Sequence, residues 1–436
     1  MKEPKQEEKK IFEIINLKGL SIPYYQRPYK WQVENVTQLL NDIFEHSFTQ
    51  KKVYRIGSLI LHKEKEILNI VDGQQRLTTI SILLHYLGEK DTLLLKQNYK
   101  HTLSKNNIVY NARVIKNWID AKFNDKGKAD FKMAVLEKCE FVLFTVYERE
   151  EAFQLFDSQN ARGKPLEPYD LLKAFHLREM ECNSEEDRES AVLNWEKSVE
   201  DNTLKPILGN HLFKIRKWSK NEWKYNFTKN DIDEFKGISL HRGQKYPYEL
   251  SIRILDGFVD NARNDKFLQN MLLAQSYPFS ITMPIINGKR FFEYIHFYIE
   301  RKKELFNSNE QTAFGIFYKN YCTTYEGSWR SGDEKVRNLY ENILLLFIDK
   351  FGLPVDFEGF YTAFYKSVYF IRCTNKSIRL ETILNSQAKN ILREINDAIS
   401  PDKMKKYQFK NYKIDKKDNE MAKGIMMIKN FVNNGQ

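Results

Sequence analysis

The stretch Ile70-Val71-Asp72-Gly73-Gln74-Gln75-Arg76-Leu77-Thr78-Thr79 holds the residues whose types and spacing most directly suggest chemistry. An apolar strand ends at Asp72. Leu77, Ile80, Leu83, Leu84 and Leu87 then recur at helical spacing, with Gly88 where a C-terminal cap falls. Arg76 therefore belongs to the first turn of a helix, where a cation opposes the helix dipole by roughly 0.3–1 kcal/mol unless something negative accompanies it. The free N–H groups of that turn, the close approach allowed by Gly73 and the Arg76 guanidinium together suit a phosphate. The same residues also fit plain capping. Asp72 with Gln75 three positions later makes a capping box, and Asp-Gly is a common turn. On spacing alone capping is the stronger of the two readings, and both stay open.

Two further stretches carry groups of the same kind. In Ser21-Ile22-Pro23-Tyr24-Tyr25-Gln26-Arg27-Pro28-Tyr29-Lys30-Trp31 the prolines hold the preceding residues extended, giving a stiff arm that leads into a helix. Gln26, Arg27 and Lys30 stand there among four aromatic rings, suited to phosphates and base edges; a proline-aromatic clamp on the domain is the alternative. In Phe153–Leu166 an amphipathic helix ends at Asn160, and Gly163 and Pro165 force a loop. A new helix begins near Pro168. Asn160, Arg162 and Lys164 then lie together as an amide and two cations fit for an anion, or form an ordinary helix-loop-helix corner with solvated charges. Asp170 and Lys173 are spaced to pair.

These three stretches closely resemble the N-terminal domain of the GmrSD family of modification-dependent restriction proteins. The signature Asp-Gly-Gln-Gln-Arg is intact from Asp72 to Arg76. The arm is similar to the family's Ile-Pro-x-Tyr-Gln-Arg-x-Tyr-x-Trp. Phe156 to Lys173 follows Phe-x-x-x-Asn-x-Arg-Gly-x-x-Leu-x-x-x-Asp-Leu-x-Lys. The resemblance covers about residues 11–180 and fades into a general helical likeness afterwards. It implies a fold like those of ParB and sulfiredoxin, and a nucleotide site at the Asp72–Arg76 turn, with the arm beside it and the Asn160–Lys164 loop in the same site. In the GmrSD proteins a His–Me-finger nuclease domain follows, and its chemistry needs a histidine base. The last of the eight histidines here is His296, so a nuclease of that kind is not expected in the final third.

The elements that must position these groups can be read from periodicity. Ser58–His62 and Ile67–Val71 read as a hairpin joined by the charged Lys63–Glu66, with helices near 33–46 and 107–122 and a buried strand at Phe141–Val146. The expected order is a mobile tail at 1–10, an α+β domain at 11–180 and a mainly helical domain at 189–436. Asn338–Lys350, stopped by Gly352, and Leu380–Ile399 are the clearest helices of the second part.

Composition narrows the class. The chain has 436 residues, 42% hydrophobic, and a formal net charge of +11, which favours a polyanionic partner such as DNA or else reflects a lysine-rich surface. Residues 401–436 carry nine lysines against four acidic residues. There Lys405, Lys406 and Lys410 interleave with Tyr407, Phe409 and Tyr412, as in strand-tracking surfaces and equally in a half-buried terminal hairpin. No apolar run is long enough for a membrane span, and four scattered cysteines suggest reduced thiols, so a cytoplasmic protein is expected.

Together these readings predict a nucleoside-triphosphate-binding and hydrolysing component of a restriction or anti-phage defence system that senses DNA, working with a separate nuclease partner. Mg²⁺ or Mn²⁺ is the expected cofactor, held by Asp72. Asp72, Gln74, Gln75 and Arg76 are the expected catalytic group. Gln26, Arg27, Gly73, Arg76, Asn160, Arg162 and Lys164 are expected to bind nucleotide, and Tyr25, Lys30, Lys405, Lys406 and Lys410 to bind DNA. A DNA-nicking activity of the first domain and a non-catalytic, nucleotide-gated scaffold remain as alternatives.

Overall fold

The computed structural model describes residues 4–23, 26, 28–89, 93–97, 99, 102–148, 151, 155, 167–180, 183–263, 265, 279–306, 312–414 and 424–434. The chain divides into two compact units, Met1–Leu166 and Glu167–Gln436. The helix that starts at Pro168 groups with the second unit rather than closing the first.

The first unit is a mixed five-stranded sheet with helices. In chain order it runs β1 (Lys5–Lys10), α1 (Ile11–Ile15), β2 (Leu20–Ser21), α2 (Val33–Ile43), β3 (Tyr54–Glu64), β4 (Ile67–Asp72), α3 (Gln74–Tyr86), α4 (Thr102–Lys122), α5 (Asp125–Lys138) and β5 (Cys139–Val146). The sheet order is β1-β5-β3-β4-β2. β3 pairs antiparallel with β4 and parallel with β5. The start of the chain is a correction to the expected tail: Lys5 to Lys10 pair antiparallel with β5, from Lys5 against Thr145 to Lys10 against Glu140. An edge strand tolerates such charge because only one of its sides is paired, and charged side chains there discourage pairing with another chain.

Alternation along β3 splits its side chains between two faces. Leu59 and Leu61 enter the main core with Ile70, Leu77, Ile80, Leu83 and Leu84, whereas Ile60 joins Val71 and Val146 in a smaller cluster. The expected hairpin and the α3 helix are both present, and Gly88 takes a left-handed φ of 86° just past α3.

The second unit is mainly helical among its described residues. Its helices are α6 (Pro168–Arg178), α7 (Glu185–Glu200), α8 (Phe213–Trp218), α9 (Glu249–Arg263), α10 (Lys289–Phe306), α11 (Ala313–Tyr318), α12 (Ser331–Phe351), α13 (Phe357–Thr374), α14 (Leu380–Leu384), α15 (Asn390–Asp397) and α16 (Met426–Asn434). α12 runs through its centre, and every residue of Ile343–Ile348 is at most 2% exposed. An apolar surface all round is the mark of a helix buried on every side. The stretch expected as one helix from 380 is instead α14 and α15, separated at Asn385 and Ser386, with Asn385 as the C-cap of α14. Both are weak helix formers that bond locally.

Candidate functional site at the start of α3

The turn from β4 into α3 is shaped by Gly73, which has a left-handed φ of 94° and forms the N-cap of the helix. A Cβ there would lie 2.9 Å from Leu59 Cδ1 and 3.1 Å from the Ser58 carbonyl oxygen. The room freed by this glycine is thus occupied by β3, and what it permits is a tight strand-helix junction. No side chain caps the turn, so the capping box that spacing suggested does not form.

Asp72 turns elsewhere. Its Oδ2 accepts from Arg76 Nη2 at 3.2 Å and from Ser58 Oγ at 3.3 Å. Arg76 therefore has an acidic neighbour four residues back, which answers the dipole penalty of a first-turn cation. Arg76 Nη1 also donates to the Ile56 carbonyl at 3.3 Å, and the guanidinium carbon stands 5.9 Å from the Phe141 ring centre. The Arg76 and Asp72 side chains keep 24% and 19% of their exposure, a half-buried pair.

Gly57 makes room for this arrangement. It sits at an irregularity in the β3–β5 register with a φ of 139°, and a Cβ on it would fall 1.8 Å from Arg76 Nη1. Gly57, Ser58 and Ile56 were not among the expected site residues. The available signal was a lone glycine inside an apolar strand, which marks a bulge or a close approach.

Gln75 holds the arm. Its Oε1 accepts from the backbone N–H of Lys30 at 2.8 Å and of Trp31 at 3.2 Å, and its Nε2 donates to the Pro28 carbonyl at 3.0 Å. Gln26 Nε2 donates to the carbonyls of Ile70 at 2.9 Å and Val71 at 2.6 Å, so the arm is tied to both β4 and α3. Tyr29 is fully buried. Its hydroxyl bonds Thr79 Oγ1 at 2.8 Å and receives Asn111 Nδ2 at 3.2 Å, while Ser104 Oγ and Asn107 Nδ2 engage its backbone. Burial raises the Tyr29 phenol above its ordinary pKa, which keeps it protonated. Ser104, Asn107 and Asn111 recur along one face of α4, a polar spacing that the sequence displayed but that carried no assigned role.

Gln74 differs from its neighbours. It is 5% exposed, and its Oε1 is buried with no hydrogen-bond partner among the described residues. Of the other expected residues, Tyr25, Arg27, Asn160, Arg162 and Lys164 lie outside the described residues. In the second unit, Lys173 is buried in an ion pair with Glu196 at 2.8 Å in place of the expected Asp170. Lys405 pairs with Asp402 at 2.6 Å, and Lys406 with Glu394 at 2.7 Å. Lys410 lies over the Tyr407 and Tyr412 rings, 5.8 and 5.5 Å from their centres.

Among the described residues no three His, Cys, Asp or Glu side chains gather as an all-protein metal cage would require. Mg²⁺ needs no such cage when phosphates supply most of its ligands, and one or two carboxylates then suffice. Both bonds to Asp72 fall on Oδ2, which leaves Oδ1 as the oxygen such an ion would use.

Residues 8–177 match the family described as GmrSD restriction endonuclease, N-terminal domain, so an N-terminal domain similar to that family is present. Residues 187–423, more than half of the chain, match a family of unknown function (DUF7834), and the chain belongs to that family. No curated protein resembles the chain closely enough to count as a match. Among the described residues no helix is long and apolar enough to cross a membrane.

Proposed function

We propose that the protein is a nucleoside triphosphatase of a restriction or anti-phage defence system, with its nucleotide site at the β4–α3 turn of a ParB/sulfiredoxin-like domain. The observation that supports this most is the Asp72–Arg76 pair at an uncapped helix N-terminus. It is half-buried, fixed by Ile56 and Ser58, and given room by Gly57. A guanidinium held in place by a carboxylate is preorganised for phosphate oxygens, and the N–H groups of the α3 turn add donors of the same polarity. Mg²⁺ at Asp72 Oδ1 would supply charge neutralisation across the triphosphate. Arg76 would bind and orient a phosphate group, and Gln74 Oε1 would accept from the attacking water. Gln75 keeps the arm against the site by backbone bonds and is a positioning residue in this scheme. Catalysis would consist of positioning and electrostatic stabilisation.

Arg27, Asn160, Arg162 and Lys164 complete the nucleotide site in this reading, and the protein acts in the cytoplasm on DNA with a separate nuclease as partner. The decisive experiment measures phosphate release from ATP, GTP, CTP and UTP with Mg²⁺, with and without DNA, for the wild type and Arg76→Ala. Release by the wild type that disappears in a folded Arg76→Ala supports the reading. Equal release by both overturns the assignment of Arg76, and triphosphate binding without release by either favours a nucleotide-gated scaffold.

A further inference from the structure

The second unit contains a cavity of about 590 Å³ bounded by the end of α6 and by the loop that runs from Gly237 into α9. The loop is pegged in place by one guanidinium. Arg253 donates to the carbonyls of Ser239 at 2.8 Å, Arg242 at 2.9 Å and Leu240 at 3.1 Å, and to Glu249 at 3.3 Å. Such multiple bonding gives a surface loop a defined shape.

Within this shape three donors are left over. Arg178 Nε, Ser239 Oγ and Arg253 Nε are each buried with no hydrogen-bond partner among the described residues, and all three residues line the cavity. Stranding a buried donor is unfavourable, so three on residues that line one space favour an acceptor that reaches them from it. The charge there suits an anion. Arg178, Arg242, Lys245 and Arg253 outnumber Glu179 and Glu249, and those two carboxylates are already engaged by Arg242 and Arg253. Arg178 is steadied from behind by Phe175, whose ring centre lies 5.3 Å from its guanidinium carbon.

The cavity also has an aromatic wall. Tyr246 and Tyr248 stack on one another, with ring centres 6.1 Å apart and planes 14° apart, and are 48% and 53% exposed. Two half-exposed parallel rings beside a set of phosphate donors match the two ends of a nucleotide: an anion and a flat base.

We propose that this cavity binds one nucleotide of an unpaired nucleic-acid strand, with phosphate oxygens on Arg178, Ser239 and Arg253 and the base against the Tyr246–Tyr248 pair. The polymer rests on the DNA-sensing reading above; the nucleotide chemistry follows from the cavity itself. Free nucleotide is the other source of the same chemistry, and the test separates the two.

The test titrates the full chain into a short fluorescein-labelled oligothymidylate and follows anisotropy, with thymidine monophosphate as competitor. Variants are Tyr246→Ala with Tyr248→Ala, Arg178→Gln, and Arg76→Ala. Loss of both stacking rings is expected to weaken oligonucleotide binding by about tenfold or more. Arg178→Gln is expected to weaken it and to flatten its salt dependence by about 0.7 in log–log slope, as for one phosphate contact on a single strand. Because the tyrosines are half exposed, their variant also serves where Arg178→Gln fails to fold. Thymidine monophosphate competing as well as the oligonucleotide identifies free nucleotide as the ligand; competition by the oligonucleotide alone identifies the strand. Wild-type affinity in the tyrosine variant, or no binding by the wild type, overturns the inference. Oligonucleotide binding lost in Arg76→Ala but kept in the tyrosine variant overturns it while sparing the nucleotide reading. Binding lost in the tyrosine variant of a protein that releases no phosphate from any triphosphate does the reverse.

Discussion

At the scale of single residues, the chemistry proposed for the first unit turns on one arginine and the glycine that accommodates it. Arg76→Ala is expected to abolish triphosphate binding or turnover, a loss on the order of 1.5–3 kcal/mol for a charge-assisted contact, read by isothermal titration and phosphate release. Gly57→Ala should reproduce that loss without touching the motif. Its Cβ would displace Arg76 Nη1, and the positive φ adds strain, so a melting shift equivalent to about 1 kcal/mol or more should accompany it. A Gly57→Ala protein with wild-type turnover would show that the guanidinium need not rest where it does. His176 sets a second expectation. Its Nδ1 accepts from the Gly288 N–H at 3.2 Å and its Nε2 donates to the Phe235 carbonyl at 3.0 Å, which defines the neutral imidazole. Burial, reinforced by Lys236, holds its pKa well below 6.5 despite the opposing Phe235 bond. A depressed folded pKa means that stability is complete above the unfolded value near 6.5 and is lost as pH falls below it. His176 should therefore contribute to denaturant unfolding a loss of stability that approaches about 1.4 kcal/mol per pH unit below about pH 6.5, and His176→Gln should remove that component. The position of Arg76 in a first turn was legible from spacing alone. Its partner was not, because the choice of Asp72 between capping and pairing depends on the backbone angles of Gly73.

At the scale of elements, the strand-turn-helix unit was legible because short apolar runs give way to a helical period near 3.6 across Asp72 and Gly73. β1 escaped notice for a physical reason: Lys-Gln-Glu-Glu-Lys-Lys has no apolar alternation, and its place in the sheet comes from pairing with β5. The break between α14 and α15 escaped because Ile383, Leu384, Ile391 and Leu392 preserve helical spacing across it. Clamping of the arm was visible only as composition. Its hydrogen bonds predict that Gln75→Ala, which strands the Pro28 carbonyl and the Lys30 and Trp31 N–H groups, costs roughly 1–3 kcal/mol. Urea unfolding followed by tryptophan fluorescence measures this. A midpoint unchanged from wild type would mean that Ser104, Asn107 and Asn111 hold the arm without help.

For the whole molecule, an α+β part followed by a helical part was legible from where alternating patterns stop. The role of the basic end was not, because lysine-aromatic interleaving suits both a solvated tail and a packed one. Tyr407 packs against Phe364 and donates to Glu394, Tyr412 lies against Phe370, and Phe431 of α16 contacts Phe317, Tyr321 and Tyr365. Deleting residues 401–436 should accordingly lower the melting temperature of the second unit and broaden its transition. A deletion that melts as sharply and as high as the full chain would refute that packing. The full chain, incubated with plasmid and Mg²⁺ or Mn²⁺ and each nucleotide, is expected to leave the duplex uncut. Open-circular or linear product that disappears in Asp72→Ala would assign nicking to the first unit instead.

The first turn of α3 has a consequence for motion. Gln75 faces the arm, Arg76 faces β3, and both stand on one continuous helical turn, so an opening that moves this turn releases both attachments. Slow hydrogen exchange should reveal this as a single opening event, in which the Lys30 and Trp31 amides and the early α3 amides exchange at one common rate and gain protection together when a triphosphate is added. The adjacency of two side chains on one helical turn would then make the arm a reporter of what the neighbouring site holds.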